Sequence, residues 1–157
     1  MTALPRPLIQ SLEMLAATAE ALELGQDWIV FGGAAMAVSG LSDWPVPDID
    51  VLASRDVAED LIEAFGGRIV APKDQVQFRS ALLARIDTTP VPIEIMVGLE
   101  VMTDDGWRPV RFHTRQDRAV GERFVPTAQV SEQAQMARRF GRPKDILRAD
   151  ALEKLSA

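Results

Sequence analysis

Apolar positions recur at helical spacing between residues 8 and 24, at Leu8, Leu12, Leu15, Ala16, Ala19 and Leu22, and Gly25 suits the stop. DWIVFGG follows, a short apolar run closed by glycines, which is the pattern of a buried strand. AAMAVSGL predicts a short helix packed closely on that strand, and PVPDIDVLA predicts a second strand entered through Pro45 and Pro47. RDVAEDLIEAFGG places Val57, Leu61, Ile62 and Phe65 on one side of a helix that stops at Gly66 and Gly67. Between Arg68 and Asp87, GRIVA and VQFRSALLARID predict two or three short strands. TTPVPIEIMVG predicts another strand after a proline turn, and the turn DDG leads into a strand over WRPVRFHT. From Val125 onward the spacing is helical again. SEQAQMARRF begins with Ser131 as a candidate N-cap, Gly141 ends it, and Pro143 opens a last helix over KDILRADALEKL.

This order of elements predicts an α/β (α+β) fold: a mixed β-sheet flanked by helices, with further helices at the C-terminal end, in a single domain over residues 1–157. At 157 residues, 47% of them hydrophobic, the chain can bury a proper core, and general disorder is excluded. No stretch approaches the roughly 18 to 20 apolar residues of a membrane span, and MTALPRPLIQ lacks the basic region and long apolar core of a secretory leader. The absence of cysteine excludes disulfides and thiolate metal sites and accords with a cytoplasmic protein. A net charge of −6 gives no general attraction to nucleic acid. The basic tract Arg138, Arg139, Arg142, Lys144 and Arg148 reads either as a solvated face or as a local phosphate-binding patch.

Two acids interrupt the second apolar run. Strand period two sends Asp48 and Asp50 to one face and Ile49 and Val51 to the other. Carboxylates a few ångströms apart repel, so a fold keeps them together when water screens them or a cation sits between them. Oxygen-only ligation of that kind suits Mg²⁺ or Mn²⁺. Glu94, between Ile93 and Ile95, repeats the pattern, and if its strand lies beside the first it completes a carboxylate triad. Such a triad can hold one or two divalent ions and take a proton from a nucleophile. Gly32 and Gly33, ending one strand and opening a helix, either let a phosphate approach the backbone closely or simply allow a sharp turn. The pattern G-x-G-x-x-G is absent, which argues against a dinucleotide site. His113, the one histidine, reads as a surface or structural residue.

Two glycines after a strand, a short helix, D-hydrophobic-D on the next strand and a later acid between aliphatics resemble the nucleotidyltransferase superfamily. The likeness is closer to its small bacterial members: minimal nucleotidyltransferases, antibiotic nucleotidyltransferases and toxins of the abortive-infection type. GRPKDILRADAL resembles the GRPKD segment of the toxin-like branch, so the likeness runs over most of the chain. It implies a nucleotidyltransferase-like sheet and a Mg²⁺ (or Mn²⁺) and NTP complex from which a nucleotidyl group passes to an acceptor. On the matching positions, Gly32 and Gly33 would hold triphosphate, Asp48 and Asp50 metal, and Glu94 metal or the proton of the acceptor. Lys144 and Asp145 would lie near the triphosphate or the acceptor. The acceptor is left open as a small molecule, tRNA or a protein, with a toxin–antitoxin setting as one possibility and no membrane partner. Close relatives carry Arg and Thr where this chain has Trp44 and Val46, and often Ser or Thr where it has Ala34. The alternative expectation is therefore a catalytically decayed module that binds a nucleotide or a protein partner.

Overall fold

The computed structural model describes residues 3–72 and 75–156. The first helix, α1 (Arg6–Ala21), starts at Pro5-Arg6-Pro7, where proline suits the first turn, and buries Leu8, Leu12, Leu15, Ala16 and Ala19. Strand β1 (Trp28–Phe31) runs straight into α2 (Gly32–Val38), which takes both glycines into its first turn. Strand β2 (Ile49–Ala53) follows, and α3 (Arg55–Phe65) is capped by Ser54, whose hydroxyl accepts from Val57 N at 3.3 Å.

The next elements are β3 (Arg68–Ile69), β4 (Phe78–Arg79), β5 (Leu82–Ile86), β6 (Ile93–Val97), β7 (Glu100–Thr103) and β8 (Gly106–Pro109). A hairpin, β9 (Gln116–Val120) and β10 (Arg123–Thr127), precedes α4 (Val130–Phe140) and α5 (Pro143–Ser156). Five strands form the main sheet in the order β1-β2-β6-β5-β3. Only β2 and β6 run parallel within it; the other pairs are antiparallel, so the sheet is mixed as predicted. A separate three-stranded sheet has the order β4-β7-β8.

One face of the main sheet is apolar. Ile49 and Val51 of β2, Ile93 and Ile95 of β6, and Ala84 and Ile86 of β5 are fully buried with Leu12 and Leu15 of α1 and Leu61 of α3. Ser11 sits inside this core. Its hydroxyl donates to Pro7 O at 2.8 Å and accepts from Val91 N at 2.8 Å, which pins the turn feeding β6 to α1. The open edge of β1 is covered differently. Hairpin strand β10 packs beside it, and Arg115 Nη1 donates to Trp28 O at 2.6 Å and Gln26 O at 3.0 Å. At the C-terminal end, α4 packs on α5 and on α2, with Met36, Ala134, Ala137, Ala149 and Leu152 forming a small core of their own.

The structure departs from the sequence expectations at several places. Strand β2 begins at Ile49, so Asp48 lies in the segment just ahead of it rather than on it. The stretch EVMT is strand β7, and the strand over WRPVRFHT ends at Pro109, leaving His113 in irregular backbone. Residues 123–127 are β10, so the helix expected from Val125 starts at Val130. Gln129, not Ser131, is the N-cap of that helix, and it offers no side-chain cap bond. Gly141 ends it as expected, with φ 73° in the left-handed region. Among the described residues, no helix is long and apolar enough to cross a membrane.

Candidate active site

The face of the main sheet opposite the core carries the chemistry. Parallel pairing sets Asp50 of β2 directly against Glu94 of β6, with Ile49↔Ile93 and Val51↔Ile95 on either side. Because those flanking residues are committed to the core, the strand period turns both acids to the other face. Antiparallel pairing of β5 with β6 then sets Arg85 opposite Glu94 on that same face. Its guanidinium binds two acids at once: Nη1 lies 3.2 Å from Asp48 Oδ1 and 3.1 Å from Glu94 Oε1. Its Nε donates to Asp87 Oδ1 at 2.9 Å, and Asp87 is held from the other side by Arg68 Nη2 at 3.1 Å. The hydrogen bond to Asp87 and the nearby acids hold the Arg85 pKa above its ordinary value.

Asp50 is the electrostatic centre. Part of its surface opens to a cavity, while protein atoms crowd its other sides. Burial pushes its carboxyl up to about 7, Glu94 and then Asp48 add repulsion, and Lys144 and Arg142 pull it back. Gly32 stands against it. With φ +65° the residue is in the left-handed region, and a Cβ there would come within 2.9 Å of Asp50 Oδ2. Glycine is thus required twice, by conformation and by space. At Gly33 a Cβ would lie 3.9 Å from Arg148 Nη2, so the glycine turn sits between the acids and a cation from α5.

That cation has company. Arg142, just ahead of α5, and Lys144 and Arg148 in its first turns reach the cavity, which has a volume of about 780 Å³. Asp145, 2% exposed, holds the first of them, Arg142. Its carboxylate accepts from Arg142 N at 3.2 Å and Nη2 at 3.1 Å, and also from Nε, closing the helix start and fixing the guanidinium. Arg142 also lies over the Phe78 ring, 5.1 Å from its centroid. Part of the remaining wall is apolar, built from residues such as Phe31, Met96, Phe112 and Met136, and part is polar, with Arg79, Ser80 and Gln133.

The structure therefore gathers Asp48, Asp50, Glu94, Gly32, Gly33 and Lys144 around one region, while the Asp145 carboxylate is engaged by Arg142. The basic tract divides. Arg138 turns away to Glu153 and Asp150, at 2.7 and 2.6 Å, and Arg139 donates to Pro109 O at 3.4 Å. Arg85 carried no signal in the sequence, because only the β5–β6 register places it. His113 is structural at its backbone, where its N–H donates to Glu132 Oε2 at 2.7 Å.

Solved structures give this arrangement a context. The protein TM1012 of Thermotoga maritima, assigned as a nucleotidyltransferase, superimposes with a TM-score of 0.63 at 20% identity, over 91% of this chain and 90% of that one. The chain has the nucleotidyltransferase fold. The lincosamide antibiotic adenylyltransferase LnuA matches with a TM-score of 0.62 at 11% identity, over 98% and 99% of the two chains. The antibiotic-resistance factor ANT(2'')-Ia matches at 0.61 and 15%, over 94% and 83%. No protein-family model and no curated protein sequence matches the chain.

On this nucleotidyltransferase fold, the donor set is carboxylate oxygen only, which fits a hard divalent cation in its chemistry. Burial is the main cause of the raised Asp50 pKa; the repulsion from Glu94 and Asp48 that adds to it is the kind a cation relieves. Among the described residues, however, no group of three or more acidic, histidine or cysteine side chains is arranged to hold a metal ion as it stands. Arg85 Nη1 instead lies against one oxygen of each of Asp48 and Glu94.

Proposed function

We propose that the protein is a divalent-metal-dependent nucleotidyltransferase that moves a nucleoside monophosphate from NTP to a hydroxyl of a small-molecule acceptor. The observation that carries this reading is the cavity with two opposed banks: Asp50 and Glu94 on neighbouring strands, and Arg142, Lys144 and Arg148 facing them. Asp48 and Asp50 would hold Mg²⁺ or Mn²⁺, which when bound supplies positive charge at the phosphoryl group under attack. Arg142, Lys144 and Arg148 bind the triphosphate oxygens, and Asp145 keeps Arg142 in place for them. Gly32 and Gly33 leave room for phosphate beside the backbone. The acceptor oxygen attacks the α-phosphorus, its proton passes to the Glu94 carboxylate, and the bond to the bridging oxygen breaks, releasing pyrophosphate.

A small acceptor is favoured because triphosphate and acceptor must share a cavity of about 780 Å³. Among the structural neighbours, LnuA is described with lincomycin bound and ANT(2'')-Ia with adenylyl-2''-tobramycin. A tRNA or protein acceptor and a toxin–antitoxin role rest on the GRPKD resemblance alone. Incubation with labelled NTPs, Mg²⁺ and cell extract tests the proposal: label transfer by the native chain and none by Asp48→Ala is expected.

One observation favours a second reading. Arg85 bridges Asp48 and Glu94 itself, an arrangement that suits a decayed module that only binds nucleotide. Binding of MgATP or MgGTP without turnover across a panel of acceptors would establish that reading instead.

A further inference from the structure

Arg85 is the group the proposed chemistry does not use, and its placement is specific. It reaches Asp48 and Glu94 with one nitrogen and Asp87 with another, so the same guanidinium has an inner and an outer anchor. The outer anchor is itself fixed, because Arg68 holds the second oxygen of Asp87. The Arg85 side chain is 30% exposed and that of Asp87 51%, so the outer anchor faces water and the inner one faces the acids. Without a cation at that point, Asp48, Asp50 and Glu94 would stand together with their repulsion uncompensated on the sheet side, since Arg142 and Lys144 act on Asp50 from α5.

We infer that Arg85 is a built-in surrogate for the divalent cation: it bridges Asp48 and Glu94 in the metal-free protein and has to release them before the ion enters. The inference rests on the proposed metal role of Asp48 and Asp50, with Glu94 the acid beside them. Because the guanidinium is rigid, release swings the whole head group away from the inner pair, on the long arginine stem, toward Asp87 and water. Two properties follow. The metal-free protein keeps its acids together without a metal. Its affinity for a bare divalent ion is low, because the ion competes with a guanidinium already in place.

Manganese titration of the metal-free full-length chain, followed by the electron paramagnetic resonance of free Mn²⁺ and with no nucleotide present, tests this. Arg85→Met is expected to bind Mn²⁺ roughly tenfold or more tightly than the native chain, since a charge beside the ligands has gone. Mn²⁺ should also raise its melting temperature by more than it raises the native one. Arg85→Lys keeps a point charge but not the fork, and should show a smaller gain; it carries the test if Arg85→Met does not fold. Equal or weaker Mn²⁺ binding by the folded variants overturns the inference and leaves the metal site standing. Failure of native and variant chains alike to bind Mn²⁺ overturns both the inference and the proposed metal role.

Discussion

The two banks of the cavity are built by different means. The acid bank is set by sheet register: Asp50, Glu94 and Arg85 come from three adjacent strands, and each position follows from which of its neighbours the core takes. The basic bank is set by one helix start. Arg142, Lys144 and Arg148 come from a single stretch, and the first of them, Arg142, is held by a single buried carboxylate, Asp145. A sheet bank is rigid because many backbone hydrogen bonds must break together to shift it. A helix-start bank is only as firm as its cap. In the proposed reaction, the step that needs exact spacing of oxygens falls to the first, and the grip on a flexible triphosphate to the second.

The largest effect is expected from the acid bank. Asp50→Asn should lower nucleotidyl transfer by roughly a thousandfold or more while the melting temperature holds or rises, as measured by label transfer and calorimetry. Breaking the other bank should act through stability and binding together. Asp145→Asn leaves Arg142 without its buried partner, and a loss of about 3 kcal/mol in denaturant unfolding is expected, with a raised KM for NTP.

The raised pKa of Asp50 sharpens the contrast further. Between its ordinary value of 3.8 and about 7, the folded metal-free chain holds a proton on Asp50 that the unfolded chain releases. Its contribution to stability is complete below the lower value and is lost as pH rises through the upper one. With chelator present, native stability should therefore fall over that range by on the order of 2 kcal/mol more than that of Asp50→Asn. Gly32→Ala forces a side chain into the left-handed region beside Asp50, and a cost of about 1–2 kcal/mol is expected by the same unfolding measurement. The smallest change belongs to Arg138→Ala: its partners lie on the solvent side of α5, so the KM for NTP should not move.

Much of this was legible in the sequence, and the residues show why. Asp50 and Glu94 stood out because each sits between aliphatics that only a core would claim, so two short patterns located the acid bank without knowledge of the pairing. Glycines and proline marked the ends of β1, α4 and the start of α5. Arg85 was hidden because its own strand, LLARI, looks like any alternating strand until β5 is set against β6. The hairpin β9–β10 was hidden for another reason. Its first strand is mostly exposed and polar, so alternation is too weak to reveal it, and the buried run from Val125 to Ala128 was read with the helix that follows. The basic tract could be read as one face only until the helix break at Gly141 separated Arg138 and Arg139 from the residues that line the cavity.

One feature away from the cavity bears on how the molecule behaves in concentrated solution. Strand β1 would otherwise present its outer backbone to any passing chain, a template for stacking one sheet on the next. With Arg115 capping the Trp28 carbonyl and the hairpin lying alongside, that border is blunted. Replacing Arg115 with a residue too short to reach would expose a sticky seam, and turbidity on standing, rather than lost catalysis, would be its first symptom.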